Sequence, residues 1–433
     1  MKHLTLIAML WGSINFAAAQ SSDSTMSLEQ CISRGLQTSG TLKAKRLSAL
    51  SARSDSRAFA AQRKPSLALR GSYNYTSETQ SLGGAFPTIP GVTFKEVKFG
   101  DGNVYDLNAA ATVPLYAGGA LISRERASLA DAKAIQFDTQ ADSLTLQLNI
   151  RRAYFLASGA KANLDAAVAR SERLKRHLDE LTSSREIGMA TKDARLAVEA
   201  SLKSAEAAVL QAETAARNAR LQLGRLIGEP SKEVYPQASI EASLVYVNTD
   251  TFALAARPEI KMLDARIEQR NRLRRAGLSS LFPSVGLNAV YHYAKPGVDA
   301  IENEWMDYYT LGVTASWTLW DFHETRARLS SHKYIAESLQ ATRDDALNVL
   351  ETRVRTAEQT RNAASPVEQR FKERLAIETE RAELIKNKLS AGLATESQWL
   401  DAQDDLTAAE IDWISSVVAL RLAEADYLHA IGR

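Results

Sequence analysis

The side chains that most often perform chemistry are scattered along this sequence rather than grouped. The histidines show no metal-ligand spacing, and His323-Glu324 lacks the second histidine that a zinc-protease helix requires. The carboxylates are interleaved with lysines and arginines, as on solvated helix faces, and no glycine-rich loop suited to a phosphate occurs. We therefore predict neither enzyme activity nor a bound metal or cofactor. The six histidines are His3, His177, His292, His323, His332 and His429.

The N-terminus has the features of a secretory signal peptide. Lys2 precedes an apolar stretch from Leu4 to Phe16, and a run of alanines ends at Ala19, just before Gln20. This stretch is shorter than the roughly 20 apolar residues that a helix needs to cross a bilayer, and no later stretch is long and uncharged enough. We assign residues 1-19 to a signal peptide and expect any membrane role to use β-strands.

Composition narrows the possible classes further. Lysine plus arginine total 53 and aspartate plus glutamate total 51, so the net charge is +2 and no basic cluster indicates a nucleic-acid partner. The single cysteine, Cys31, lies too far beyond the cleavage site to carry a lipid, and we expect a half-buried helical thiol without a chemical role. Only 21 glycines and 10 prolines occur in 433 residues, which favours long helices.

The chain contains an internal duplication. A constant offset pairs Gly188 with Gly392 and Thr191 with Thr395, and a larger offset upstream pairs Pro65-Ser66 with Pro283-Ser284. Each copy has the order helix, strand, loop, strand, very long helix, short break, helix. The predicted divisions are a first repeat over 20-229, a linker over 230-250 and a second repeat over 251-433.

Four segments, two in each repeat, alternate apolar and polar residues with the period of a β-strand. Strands of about 10 residues with one apolar face and terminal aromatics are typical of a transmembrane barrel around a water-filled lumen, and a soluble β-domain is the alternative. Four strands cannot close, and open edges are not tolerated in lipid, so three chains would supply roughly twelve strands. The predicted strands cover residues 65-76, 105-116, 284-293 and 309-320.

The helical segments are too long for an ordinary globular domain. Between residues 123 and 185 only Gly159 interrupts a helix-forming run, which at 1.5 Å per residue extends roughly 90 Å. Apolar residues with coiled-coil spacing follow over 198-226 and again in the second repeat. We predict antiparallel helical hairpins that turn near Gly188 and Gly392. A coiled-coil rod made by the chain alone is the alternative, but it would not explain the amphipathic strands.

Short motifs at corresponding places in the two repeats carry a resemblance to a known family. They are Val113-Pro114-Leu115-Tyr116-Ala117-Gly118-Gly119, Gly188-Met189-Ala190-Thr191, Gly392-Leu393-Ala394-Thr395 and Leu226-Ile227-Gly228. In this order they resemble the TolC family of outer-membrane efflux and secretion channels over nearly the whole mature chain. The resemblance implies a mixed α/β membrane protein. Its long antiparallel coiled-coil helices would form a periplasmic α-barrel, and its four transmembrane strands would join those of two further chains in one β-barrel.

The resemblance also implies partners and a location. A homotrimer in the lipid of the outer membrane, with a large periplasmic extension, would meet a periplasmic adaptor protein that couples it to an inner-membrane transporter. It would export small molecules, as in multidrug efflux. The alternative within this class is the outer-membrane channel of a type I protein secretion system, and the alternative outside it is a non-channel periplasmic coiled-coil protein.

Candidate site residues follow from the same resemblance. The hairpin tips would dock the adaptor, although helix capping explains the same residues equally well. Just after the second tip, Asp401 matches an acidic family position that narrows the lumen, whereas Gln398 replaces the other acid. Phe322-His323 stands where the first repeat has Gly118-Gly119, which leaves the backbone geometry of that transition open. The proposed tip residues are Gly188, Ala190, Thr191, Gly392, Ala394 and Thr395.

Overall fold

The computed structural model describes residues 24-79, 101-186, 191-237, 239-241, 254-299 and 302-433. The predicted signal peptide lies outside the described residues, as do Gly188 and Ala190. Of the predicted linker over 230-250, only residues 230-237 and 239-241 are described.

The described chain is mostly helical, and in both halves a helix, two strands, a very long helix and a shorter helix follow one another in that order. The first half contains β1 (Ser24–Met26), α1 (Leu28–Thr38), α2 (Gly40–Ala61), β2 (Ser66–Tyr75), β3 (Asn103–Tyr116), α3 (Ala120–Glu186), α4 (Lys192–Leu226) and β4 (Val234–Pro236). The second half contains α5 (Pro258–Leu278), β5 (Ser284–Lys295), β6 (Met306–Ser316), α6 (Glu324–Ser390) and α7 (Glu396–Ala430). Short 3₁₀ turns at Leu254–Ala256 and Ser279–Leu281 flank α5.

The chain forms two compact units, and each unit contains residues from both predicted repeats. The helical unit comprises the described parts of residues 1-39, 146-247 and 357-429. The sheet unit comprises the described parts of residues 40-145, 248-356 and 430-433. The division into a signal peptide, two repeats and a linker stays a prediction from the sequence.

The sheet unit contains a four-stranded antiparallel sheet in the order β2-β3-β5-β6. Its two hairpins, one from each predicted repeat, join where β3 pairs with β5, for example at Asn108 opposite His292. Alternation along the strands puts large apolar side chains on one face, where they are exposed in the single chain. Among them are Leu67, Leu69, Leu311 and Val313.

The last strand differs from its predicted extent of 309-320, because β6 begins at Met306 and ends at Ser316. Ser316 pairs with Ser284, the first residue of β5. The residue before it is Pro283, which has no amide hydrogen to donate and so cannot extend the ladder. The segment from Trp317 to Trp320 therefore continues beyond the sheet without a strand partner in the described chain.

The core of the helical unit lies along the predicted coiled-coil spacing. On α4 the buried residues include Val198, Leu202, Ala205, Ala216 and Leu223. Helix α7 is buried on several sides, since Ile414 and Val417 are buried as well, and the buried seam positions face neighbouring helices. These are Ala402, Leu406, Ala409, Ser416, Leu420, Ala423 and Tyr427.

Helix α1 begins at a capping box, in which the Ser27 hydroxyl accepts from the amide of Gln30 and the Gln30 side chain accepts from the amide of Ser27. Cys31 follows in the first turn and is 0% exposed, so the expectation of a half-buried thiol was wrong. It packs with Ile150 and Tyr154 in one apolar cluster. Burial, and after it the charge of Glu29, raises the pKa of this thiol to about 11, which keeps it unreactive.

No helix in the described ranges combines the length and the apolar character needed to cross a bilayer.

Candidate functional site: the hairpin tips and the residues behind them

The second hairpin tip is a tight turn that requires glycine. Gly392 has φ +72°, in the left-handed region that residues with a Cβ rarely adopt. Its amide donates to the carbonyl of Leu389 at 3.0 Å, and the amide of Leu393 donates to the carbonyl of Lys388 at 2.8 Å. This is the Schellman pattern that closes many helices. The apolar partner common in that pattern is missing, because Leu393 is 78% exposed.

The same tip starts α7 with a second capping box. The Thr395 hydroxyl accepts from the amide of Gln398 at 3.3 Å, and the Gln398 side chain accepts from the amide of Thr395 at 2.9 Å. Gly392, Ala394, Thr395 and Gln398 are thus brought together in one turn. The side-chain oxygen of Gln398 is engaged in holding this turn closed.

The first hairpin tip is only partly described, but the start of α4, which follows it, is described. Thr191 caps α4, because its hydroxyl accepts from the amide of Ala194 at 3.2 Å. Position Ala194 corresponds to Gln398 of the second tip and has no side chain that can reach back. The first cap is therefore one-sided, and Gly188 and Ala190 lie outside the described residues.

Directly behind the tips, four helices share one apolar cluster. Trp399, at 4% exposure, fills its centre from α7. The imidazole of His177 on α3 lies against this indole with ring centroids 3.9 Å apart. The cluster packs the two hairpins together. Its other members are Leu174, Leu178, Leu181, Val198, Leu202, Ala205, Ile385, Leu389 and Leu400.

Polar contacts between α3 and α7 continue away from this cluster. The contact nearest the tip joins His177 Nε2 and Glu396 Oε2 at 2.7 Å, with both side chains mostly buried. The arginine pairs further along are partly exposed, and exposed ion pairs contribute only roughly 0-1 kcal/mol each, so their main effect is to fix how the two helices lie along each other. The other pairs are Arg152 with Asp426, Arg170 with Asp404 and Arg173 with Glu410.

The acidic residues of α7 fall into two groups. Asp404 forms an ion pair with Arg170 and Asp405 with Arg381, each at 2.6 Å, so both are paired rather than simply solvated. The hydrogen bond to Asp405 raises the pKa of Arg381. Asp401 is exposed, and no ion pair or hydrogen bond from its side chain occurs among the described residues. Asp401 is thus the acid near the tip whose charge stays available.

The sequence did not reveal the residues that tie the two hairpins together. His177 and the arginines of α3 belong to no motif, and their partners on α7, among them Trp399, lie more than 200 positions away in the chain. The coiled-coil period of the second repeat begins at Ala402 and did not include Trp399 or predict its contacts. Among the described residues, no three His, Cys, Asp or Glu side chains are grouped as a metal site. The exposed tip residues are suited to contact with another protein, and the unpaired Asp401 is suited to selecting ions by charge.

The sequence matches a known family over most of its length. The family model described as outer membrane efflux protein matches residues 31-229 and 252-427. No curated protein gives a significant match to the chain.

Several solved structures have the same fold. The outer membrane protein VceC of Vibrio cholerae is 18% identical, with 94% of this chain and 96% of that chain covered and a TM-score of 0.75. The CmeC outer membrane channel of Campylobacter jejuni is 15% identical, with 100% and 94% covered and a TM-score of 0.77. The MtrE outer membrane channel of Neisseria gonorrhoeae, in its open state, is 19% identical, with 94% and 88% covered and a TM-score of 0.76.

The capping box of the second tip yields a test of local stability. We expect Thr395→Ala to destabilise the start of α7 by about 1 kcal/mol, because the amide hydrogen of Gln398 loses its acceptor and the capping box becomes one-sided. Hydrogen exchange followed by mass spectrometry should show faster exchange in peptides that cover residues 395-400. Thr379→Ala is the matched control, since that hydroxyl only donates to the carbonyl of Leu375 within α6. Unchanged exchange in Thr395→Ala would contradict the capping role.

Proposed function

Because this chain belongs to the outer membrane efflux protein family, we propose that three copies form a channel that exports small molecules with a periplasmic adaptor and an inner-membrane pump. The family is one of outer-membrane channels and not of enzymes, which agrees with the absence of a catalytic motif in the sequence. The alternative of a non-channel periplasmic coiled-coil protein does not agree with this membership.

The observation that carries the proposal is the open sheet. Within the described chain, β2 and β6 each have a strand partner on one side only. In lipid the free backbone groups of such edges find no water to bond. Pairing β6 of one chain with β2 of the next removes every edge, and three chains of four strands close into a barrel of roughly twelve strands.

The faces of the sheet support the same assembly. Leu67 and Leu69 on β2 are 77% and 83% exposed, and Leu311 and Val313 on β6 are 71% and 67% exposed. A water-soluble domain would bury such a face, whereas a barrel wall turns it to lipid. The opposite face carries polar residues such as Asn108, Asn288 and Thr314, which suit a water-filled lumen.

The two longest helices support a periplasmic tunnel. Helices α3 and α6 have 67 residues each, and at 1.5 Å per residue each extends roughly 100 Å. The hairpins α3-α4 and α6-α7 share buried apolar seams, so their remaining apolar residues are free to contact neighbouring chains. Leu210 and Ile377 are examples, at 66% and 64% exposure.

The second hairpin tip is the proposed docking point for the adaptor. Leu393 presents an apolar side chain at the turn, and apart from the adjacent residues no heavy atom of the described chain lies within 4 Å of the place where a Cβ on Gly392 would stand. A partner helix can therefore approach the backbone closely. By the family resemblance, Ala394 and Thr395 would take part from the same turn, and Gly188, Ala190 and Thr191 from the other.

The proposed constriction depends on Asp401. Three copies of this unpaired carboxylate around a symmetry axis would give the narrowed part of the lumen a negative potential that attracts cations. Gln398, the other proposed constriction residue, is neutral and engaged in its capping box. The ring of charge would therefore consist of Asp401 alone, with Gln398 contributing bulk.

The lipid-facing assignment can be tested on adjacent residues of β6. We expect Val313→Arg to weaken the assembled protein by about 2-4 kcal/mol, because a charge near the bilayer midplane is poorly solvated. The matched control, Thr314→Arg, turns the same side chain to the water-filled lumen and should have a mild effect. Trimer yield and thermal dissociation in vesicles measure both. Equal losses from the two variants would contradict the assignment.

The docking proposal can be tested without disturbing the turn. We expect Leu393→Asp to weaken adaptor binding by about 2 kcal/mol or more, because an apolar contact at the centre of an interface is replaced by a charge. Drug export should fall while trimers remain in the outer membrane. Leu393→Met is the control that keeps the apolar contact and should export normally. Normal export by Leu393→Asp would remove the proposed contact.

The constriction can be tested by single-channel recording in planar bilayers. We expect Asp401→Asn to lower the preference of the channel for cations over anions, because three charges leave the lumen. Asp405→Asn removes an acid that is already paired with Arg381 and should change selectivity less. If both variants shift the reversal potential by the same amount, Asp401 has no special position.

A further inference from the structure

A small cavity lies between α3, α6 and α7, within a few turns of the hairpin tips. Its volume is about 100 Å³, which matches roughly three water molecules at about 30 Å³ each. Trp399 forms one wall, and the remaining lining residues are polar, so we term it the polar cavity. These residues are Arg173, Arg176, His177 and Glu180 on α3, Lys386 on α6 and Gln403 on α7.

Positive charge predominates in this lining. Arg173, Arg176 and Lys386 are opposed by Glu180, whose side chain is 69% exposed and therefore screened by water. In the part of the chain that the structure describes, neither Arg176 nor Lys386 forms an ion pair. Arg176 donates one long hydrogen bond, to the carbonyl of Glu172 at 3.4 Å. Two cations beside the polar cavity are therefore uncompensated.

The side chains of His177 and Arg173 differ in how firmly they are engaged. His177 Nε2 lies 2.7 Å from Glu396 Oε2, so this ring already has its partner. The guanidinium of Arg173 lies 3.4 Å from both the Glu410 carboxylate and the Thr407 hydroxyl, and these contacts are long for hydrogen bonds. The Nε of Arg173 is buried and has no hydrogen-bond partner among the described residues. Arg173 therefore retains unused donor capacity.

Gln403 gives an independent indication that the polar cavity holds a guest. It is 5% exposed, and its Oε1 is buried without a hydrogen-bond partner within the described ranges. The Thr407 hydroxyl bonds only to the backbone carbonyl of Gln403, not to its side chain. Buried polar side chains nearly always have a partner, because an unpartnered one is costly. A glutamine at this position therefore indicates a molecule in the cavity that donates a hydrogen bond.

We propose that the polar cavity binds one inorganic phosphate ion. The unprotonated oxygens of phosphate accept from Arg173, Arg176 and Lys386, and the O–H that phosphate keeps at neutral pH donates to Gln403 Oε1. Sulfate has the same shape but no O–H at this pH, so it should bind more weakly. The inference is independent of the proposed function, since all the lining residues belong to one chain. The bound ion contacts both hairpins and so holds α3 against α6 and α7.

Calorimetric titration of the purified full chain with inorganic phosphate tests this directly, in chloride buffer of constant ionic strength near neutral pH. We expect saturable binding of one phosphate per chain. The midpoint temperature of unfolding should rise with phosphate concentration, because the ion binds the folded chain. Sulfate is the matched control, since both anions stabilise proteins generally by exclusion from their surface. An equal rise in sulfate, or no saturable phosphate binding, would mean that the cavity holds water only and would overturn the proposal.

Substitutions in the lining locate the ion. We expect Gln403→Leu and Lys386→Met each to weaken phosphate binding about tenfold or more, because a hydrogen bond to a charged ligand is lost. Lys386 is exposed, so its replacement keeps the test valid if Gln403→Leu fails to fold. Lys175→Met is the control, because Lys175 is an exposed lysine of α3 that does not line the cavity, and this variant should bind phosphate like the wild type.

The stability of Gln403→Leu separates a binding role from a merely structural one. In phosphate-free buffer this variant should unfold at the same temperature as the wild type or higher, because a buried group without a partner has been removed. In phosphate it should lack the rise in midpoint that the wild type shows. Unchanged phosphate affinity in both Gln403→Leu and Lys386→Met would place the ion elsewhere and overturn the proposal.

Discussion

The constraint on which the rest of this structure depends is the pairing of backbone groups at the edges of the sheet. Each chain brings strands that satisfy one another internally but leave β2 and β6 open. In water the backbone groups at such edges bond to solvent, whereas in lipid they would have no hydrogen-bond partner. The proposed trimer and its lumen would follow from meeting that requirement with neighbouring chains.

The sequence was most informative where a physical period is strict. Alternation from Leu67 to Tyr75 identified a strand because neighbouring side chains point to opposite faces, and the seam from Ala402 to Tyr427 identified a buried helix stripe for the analogous reason. The mostly helical fold with four main strands was confirmed by the similar solved structures. Duplication strengthened each of these inferences, since two segments obeyed one pattern.

The sequence failed where the outcome depends on contacts between distant segments. The prediction that Cys31 is half-buried was wrong, because the apolar cluster around it is formed by residues of α3 and α4, far along the chain. The end of β6 was misjudged because alternation continues to Trp320 while the neighbouring strand begins only after Pro283. At the candidate site, the glycines and threonines of the tips were visible as motifs, whereas the His177 contacts arise only when α3 and α7 pack together in the folded chain.

The two hairpin ends of one chain are not equivalent, although they descend from the same repeated unit. Gln398 closes the cap of α7 from both sides, whereas in the described part of the first tip the cap of α4 has the Thr191 hydroxyl alone, because Ala194 cannot reach back. In a threefold ring the firmer and the looser ends would alternate, so the rim would have true threefold and only approximate sixfold symmetry. A protein that binds these six hairpin ends with sixfold symmetry would contact two kinds of end that differ in rigidity. The less firmly capped ends would be the first to change shape on binding.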